Sequence, residues 1–338
     1  MIIKTPVSLK FIWLCRYYRE NDALFSRWEA RIQKRLARKY KTLPDGQIRP
    51  VREMSCEAFQ NLPASFFDDK NLEPFVVRGF MDAEMISADM LSDHYGEELI
   101  TAHPEADMRP EATMVAIRQM SISSLLTKIR GGQAATVFAA TDIYKRNPEL
   151  INFAGLKQIE AIIGANKVMK SELFMGGAGS GSNYHRACID NFFMMLEGKK
   201  SWHLVDPRQM VAMAPEVGRR RGASVMSSEI ATAHLNKNKH PLYSKIDVQT
   251  VTLEPGDLFF NPNSWWHEVK NDTLAVGAAH RVLSRRHYTF LHYLMNTVHG
   301  RPHHILKRSI IQFMRRKREM RPRKLTDAQA LNSFGRRL

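Results

Sequence analysis

The sequence predicts a mixed α+β chain with a mainly β core and helical segments at both ends. Three observations lead there. From about Leu9 to Tyr40, apolar side chains recur at steps of three and four, the period of a helix. Beyond Ser171 the chain breaks into short apolar runs punctuated by glycine, as a β-barrel requires. After residue 284 the helical spacing returns, through Tyr288, Leu291 and Met295 and then Leu306, Ile310 and Phe313.

The elements follow in order. In the first segment Phe25, Trp28, Ile32 and Leu36 form a stripe expected to pack on the domain, with Arg27, Arg31, Lys34, Arg35 and Arg38 between them. Leu43-Pro44-Asp45-Gly46 is a turn that closes this arm. After Pro74, the β-branched run Phe75-Val76-Val77-Arg78-Gly79-Phe80 reads as a strand. Ser87–Tyr95 and Ser121–Ile129 read as helices, with Ser121 in a capping position. Asn147-Pro148-Glu149-Leu150 begins a turn or short helix. The glycine-rich stretch 176–182 is a loop without the spacing or the lysine of a phosphate-binding loop. The expected organisation is a basic helical arm (1–52), a barrel domain with a helical lead-in (53–285) and a basic helical extension (286–338).

Composition bounds the function classes. The chain has 338 residues, 44% of them apolar and 25% charged, ordinary values for a globular domain with extensions. No run of eighteen apolar residues suggests a membrane span. Met1–Phe11 is too mixed for a secretory signal. The stretch up to Glu20 is basic and weakly similar to an organelle-targeting sequence, but a cytosolic helix is preferred, so a cytoplasmic rather than mitochondrial location is expected. Cys15, Cys56 and Cys188 show no paired spacing, which fits a reducing intracellular compartment. The net charge of +16 is uneven. Residues 1–52 carry 13 Lys/Arg against 4 Asp/Glu and residues 301–338 carry 12 against 2, leaving −3 for 53–300. Such arms suit RNA, a ribonucleoprotein, an anionic membrane surface or an acidic protein, or they are solvated faces without a partner. The run Arg315-Arg316-Lys317-Arg318 ends an expected amphipathic helix.

Two segments carry the chemistry. One is Ser182-Asn183-Tyr184-His185-Arg186-Ala187, continuing through Asp190-Asn191 to Gly198-Lys199-Lys200-Ser201-Trp202. The other runs from Pro255-Gly256-Asp257 to Trp265-Trp266-His267-Glu268. Together, about eighty residues apart and in this order, they closely resemble the JmjC/cupin-like hydroxylases, particularly the branch of the asparaginyl hydroxylase called factor inhibiting hypoxia-inducible factor. The resemblance spans roughly residues 60–285 and implies a double-stranded β-helix, a cupin or jelly-roll barrel, using iron(II) and 2-oxoglutarate to hydroxylate a protein side chain. It implies His185 and His267 as metal ligands and catalytic residues, and Lys200 as the partner of the distal carboxylate of 2-oxoglutarate. Ser182, Asn191 and His280 fall where polar groups line the co-substrate pocket. The chemistry is legible in the residue types. A His-x-Asp pair shares one face of a strand, and with a distant histidine it gives three ligands on one side of an octahedral iron.

The sequence departs from that pattern at one point. The position two residues after His185 is Ala187, which has no lone pair for a metal. Asp190 stands five residues on, an odd step that aims it at the opposite face, whereas Asn191 has inward parity. Three readings follow. Iron is held by two histidines and 2-oxoglutarate; or a halide enters the vacated position, as in iron/2-oxoglutarate halogenases; or metal binding is lost and the barrel is a non-catalytic scaffold docking on RNA or a large complex.

Overall fold

The computed structural model describes residues 3 and 5–282, except 19–22, 70, 83–85, 104–117, 134, 138–139, 141, 154, 165–166, 188 and 217–224. Cys188, the extension 286–338 and its run of four basic residues therefore lie outside the described residues. The chain opens with helices α1 (Val7–Tyr18) and α2 (Ala23–Lys39), two helices in the stretch read as one helical pattern. Strands β1 (Ile48–Pro50) and β2 (Arg52–Met54), helix α3 (Cys56–Gln60) and strand β3 (Phe75–Val77) follow. The lead-in continues with α4 (Ala88–Tyr95), β4 (Leu99–His103), β5 (Arg118–Ser121), α5 (Ile122–Arg130) and β6 (Thr136–Val137), then α6 (Asp142–Arg146), α7 (Glu149–Phe153) and α8 (Leu156–Ile163). The barrel strands are β7 (Val168–Gly176), β8 (Gly181–Ala187), β9 (Asp190–Glu197), β10 (Lys200–Val205), β11 (Val225–Ser227), β12 (Val248–Leu253), β13 (Leu258–Asn261), β14 (Trp266–Asn271) and β15 (Ala275–Val282).

The cap expected at Ser121 is present, and Ser87 proves to cap α4 in the same way. Ser87 Oγ accepts from Met90 N at 3.0 Å and Ser121 Oγ from Ser124 N at 3.2 Å, each satisfying a donor the first turn leaves unpaired. The strands form two sheets, in orders β1-β12-β10-β14-β8-β11 and β2-β3-β13-β9-β15-β7-β6-β4-β5. Between them lies one apolar layer, to which Trp202, Leu204 and Val251 contribute from the first sheet and Phe193, Met195 and Phe259 from the second. Trp202 bridges the layer, its ring 5.4 Å from Phe193 and 4.9 Å from Phe259. A second cluster covers the far side of the second sheet with residues of the lead-in helices, including Leu91, Leu125 and Ile159. A third puts Leu9 and Trp13 of α1 and Leu36 of α2 against Tyr184, Val205 and Trp266 of the first sheet. The basic arm is thus continuous with the barrel's packing.

Trp28 corrects one expectation. It belongs to the stripe read as packing on the domain, yet it is 42% exposed, while Leu36 is buried. The apolar arc of α2 is narrower than the spacing implied, and Trp28 falls outside it, on the basic side.

Two turns fix the strands that matter. Gly198 has φ +78°, and a Cβ there would meet Leu274 O at 1.9 Å, so only glycine fits the turn that starts β10 at Lys200. The turn at Gly256 (φ +90°) leads into β13, so the strand bearing His267 is the next one along. Asp257 locks that turn, accepting from Arg78 Nη1 at 2.6 Å, Gly79 N at 3.2 Å and Glu254 N at 2.9 Å.

Candidate functional site: two imidazoles and a buried lysine

Strands β8 and β14 pair antiparallel, with His185 directly opposite His267 and Ser182 opposite Val269. Two residues of β8, Asn183 and Tyr184, therefore face Glu268 alone, which is a β-bulge. A step of three would ordinarily put Ser182 and His185 on opposite faces. The bulge restores both to the barrel face, because residues opposite each other in an antiparallel pair project to the same side. Val269 belongs to the layer between the sheets, which identifies that face as the interior.

The imidazoles of His185 and His267 meet with centroids 4.2 Å apart at 57°. Each ring is fixed through its Nδ1, which donates to a backbone carbonyl: Asn183 O at 2.9 Å for His185 and Trp265 O at 3.0 Å for His267. That pattern assigns the neutral tautomer with the free lone pair on Nε2, the arrangement a metal-binding histidine adopts. Asn261 lies 3.1 Å from the same Nδ1 of His267, and its own buried Oδ1 has no partner. Trp202 stacks on His267, with centroids 5.5 Å apart at 28°. Burial lowers the His185 pKa, against the Asn183 hydrogen bond and with help from Arg281. Burial and the facing His185 hold His267 well below the ordinary imidazole value. Both rings are neutral and basic only toward a ligand.

Lys200 shares the inward parity of Trp202 and Leu204 on β10 and is 4% exposed. Its Nζ lies over the Phe193 ring at 4.8 Å and the Phe174 ring at 5.9 Å, and among the described residues it has no carboxylate partner. Burial pulls its pKa down to about 7. Asn191 is buried on the same face of β9 as Phe193, and its Oδ1 has no partner. Lys200 and Asn191 thus put a buried amine and an orphaned amide oxygen on the interior faces of β10 and β9.

His280 is not brought to this site. On β15 it alternates with Ala279 of the central layer and falls on the side of Val276, Ala278 and Val282, which belong to the cluster under the helices. There its Nδ1 is 2.8 Å from Ser171 Oγ. The odd step between Ala279 and His280 is the reason, and the pocket role expected of it does not fit that placement.

Ala187 has the same parity as His185 and ends β8 with a methyl group, its carbonyl accepting from Ser264 N at 2.7 Å. Asp190 has the opposite parity to Asn191, and its Oδ1 accepts from Asn263 N at 2.8 Å. Asp190 and the Ala187 carbonyl thus tie down the loop that delivers Trp265–His267. Ser264, in that loop, adopts φ +66°. Among the described residues, no three or more His, Cys, Asp or Glu side chains gather closely enough to hold a metal ion.

Sequence reading missed Glu172 and Arg281. Arg281 alternates into the interior with Ala279, and its Nε donates to Glu172 Oε2 at 2.7 Å, while Lys170 meets Glu172 Oε1 at 2.5 Å. Burial alone would raise the Glu172 carboxyl, but Arg281 and Lys170 outweigh it and hold it below its ordinary value. The available signal was parity: charged residues at inward positions of two paired strands. A groove of about 820 Å³ lies elsewhere, lined by Tyr95, Glu98, Gln119 and Arg146 among others, and includes none of the barrel residues above.

Comparison with known proteins agrees with this architecture. The family described as Cupin-like domain matches residues 66–290, about two thirds of the chain. The HSPB1-associated protein 1 homolog of Danio rerio is 32% identical over 81 residues, covering 24% of this chain and 18% of that protein. The tRNA wybutosine-synthesizing protein 5 of Mus musculus is 28% identical over 93 residues, covering 28% and 27%. The Jumonji C domain-containing protein 5 of Drosophila melanogaster is 26% identical over 99 residues, covering 29% and 24%. The chain thus aligns with about a fifth to a quarter of the length of these relatives. With a barrel of this topology and a family match across most of its length, the chain belongs to the JmjC/cupin-like family.

Proposed function

We propose that the barrel interior is an iron(II)/2-oxoglutarate oxygenase site of a two-histidine type, acting on a polypeptide side chain. The observation that carries this reading is Lys200, a buried ammonium without a carboxylate partner among the described residues, on the same interior face as two imidazoles with free Nε2 atoms. The residues present fit iron at two positions and a dicarboxylate at one. They do not fit a centre with three protein ligands, because Ala187 supplies no donor. His185 and His267 would hold the metal through Nε2, and Lys200 would pair with the far carboxylate of 2-oxoglutarate. Ser182 and Asn191 face the same interior and offer it hydrogen bonds.

When bound, the iron and its co-substrate supply oxygen activation coupled to oxidative decarboxylation. The chain's own part is to bind, orient and exclude water. The carbonyls of Asn183 and Trp265 fix the ring planes, and Trp202 walls one side of His267. The apolar layer of Phe193, Phe174 and Trp202 keeps water from the Lys200 ammonium, which strengthens its pairing with an anion. The polypeptide substrate is part of the proposal and rests on the family resemblance.

The test is turnover. Purified protein with iron(II), oxygen and 2-oxoglutarate should form succinate, and His267→Ala should lower the rate at least a hundredfold. Ala187 favours one second reading, a barrel that binds a dicarboxylate without turnover. Under it, the wild type binds 2-oxoglutarate but forms no succinate.

A further inference from the structure

Seven large apolar side chains are exposed among the described residues, and four of them lie on the first two helices: Val7 (82%) and Phe11 (60%) on α1, Leu24 (51%) and Trp28 (42%) on α2. Each pair is spaced i, i+4, so each shares one helix face. The inner side of the same two helices is spoken for, since Leu9, Trp13 and Leu36 pack on the barrel. Trp13 Nε1 also donates to Glu29 at 2.8 Å, joining α1 to α2.

The outer side of α2 is cationic. Arg27, Arg31, Lys34, Arg35 and Arg38 recur at three and four residues and are all exposed. None of the five forms an ion pair within the described residues, although other exposed arginines such as Arg49, Arg130 and Arg208 do. The only acidic residue of α2 is Glu29, which accepts from the Trp13 indole. Leu24 and Trp28 therefore sit at the head of a face whose remainder is arginine and lysine.

We infer that this face docks on an anionic lipid bilayer. The guanidinium groups would meet lipid phosphates, and the exposed Trp28, Leu24, Phe11 and Val7 would enter the boundary between headgroups and acyl chains. Charge decides against the chain's other basic end as the occupant, because residues 301–338 carry 12 Lys/Arg against 2 Asp/Glu. A second copy of the same face is excluded on the same ground. Aliphatic content decides between a bilayer and single-stranded RNA: bases stack on planar groups, and Val7 and Leu24 offer none, whereas both gain by leaving water in a membrane interface. No helix among the described residues is long and apolar enough to cross a membrane, so the association is with the surface.

The test is sedimentation of the whole 338-residue chain with vesicles of phosphatidylcholine alone or with about 30 mol % phosphatidylglycerol. Binding to the anionic vesicles only is expected. Arg31→Ala with Arg35→Ala should weaken it roughly twenty-five-fold, about fivefold for each charge removed. Trp28→Ser should weaken it about tenfold through lost apolar burial, at unchanged circular dichroism. No binding to anionic vesicles overturns the inference. So does binding that these substitutions leave intact, since the basic C-terminal segment would then be responsible. Tighter, Trp28-dependent binding to a uridine oligonucleotide that competes the vesicles away overturns it in favour of RNA.

Discussion

A lysine closed off from water destabilises a fold unless something compensates it. Burial brings Lys200 down to about 7 from its ordinary value of 10.5. The unfolded chain keeps that proton to about pH 10.5 and the native one loses it near 7, so stability rises with pH between the two. Below about 7 both states are protonated and the cost is complete. Lys200→Met should therefore raise the melting temperature by about 5 °C at pH 6, with a gain that shrinks toward pH 10. The same substitution should weaken 2-oxoglutarate binding at least tenfold, as calorimetry would show. A stability gain without lost binding would mean that the lysine serves packing alone. Ala187 supplies the complementary experiment. Ala187→Asp restores a carboxylate on the face of His185 and should raise iron(II) affinity about tenfold or more. If it instead creates iron binding where the wild type has none, the scaffold reading stands. If it converts a chloride-dependent product into a hydroxylated one, the wild-type centre holds a halide.

At the scale of elements, the site depends on three features of strand geometry. The bulge in β8 turns Ser182 inward beside His185, the Gly198 turn starts β10 at Lys200, and the loop at Asn263–Ser264 delivers His267. Asp257 holds the turn into β13 through three hydrogen bonds, including a short one from Arg78. Because that arginine is partly exposed, water screens the ion pair, and Asp257→Ala should cost about 2–3 kcal/mol in denaturant unfolding. Much of this scale is legible in the sequence. The segments Ser87–Tyr95 and Ser121–Ile129, the second with its serine cap, announced α4 and α5, and the glycine-punctuated runs announced the barrel. The bulge was not legible, because no residue type marks it and the spacing from Ser182 to His185 argues for opposite faces. His280 failed for a related reason: motif position placed it in the pocket, while alternation along β15 turns it toward the helices. Arg281, one residue on, has the inward parity and belongs to no motif.

For the whole molecule, three apolar layers stack through two sheets, and the first helices close one of them. Trp13 and Leu36 cover Trp266 and Tyr184, which stand next to His267 on β14 and His185 on β8. Removing residues 1–41 should therefore expose that surface. Stronger binding of a hydrophobic dye and a lower melting temperature would show this; an unchanged melting temperature would mean that the helices only decorate the barrel. Charge gave the outline of this arrangement, a nearly neutral centre with basic flanks. It did not reveal that one face of α2 packs on the core while the other presents Trp28 to solvent.

If His185, His267 and Lys200 form one centre for iron(II) and a 2-oxo dicarboxylate, anaerobic titration of iron(II) into protein with 2-oxoglutarate, followed by visible absorption, will reveal it. A metal-to-ligand charge-transfer band that saturates at one iron per chain, and is lost in both His185→Ala and Lys200→Met, is the predicted result. No band, or one that survives these substitutions, would contradict it.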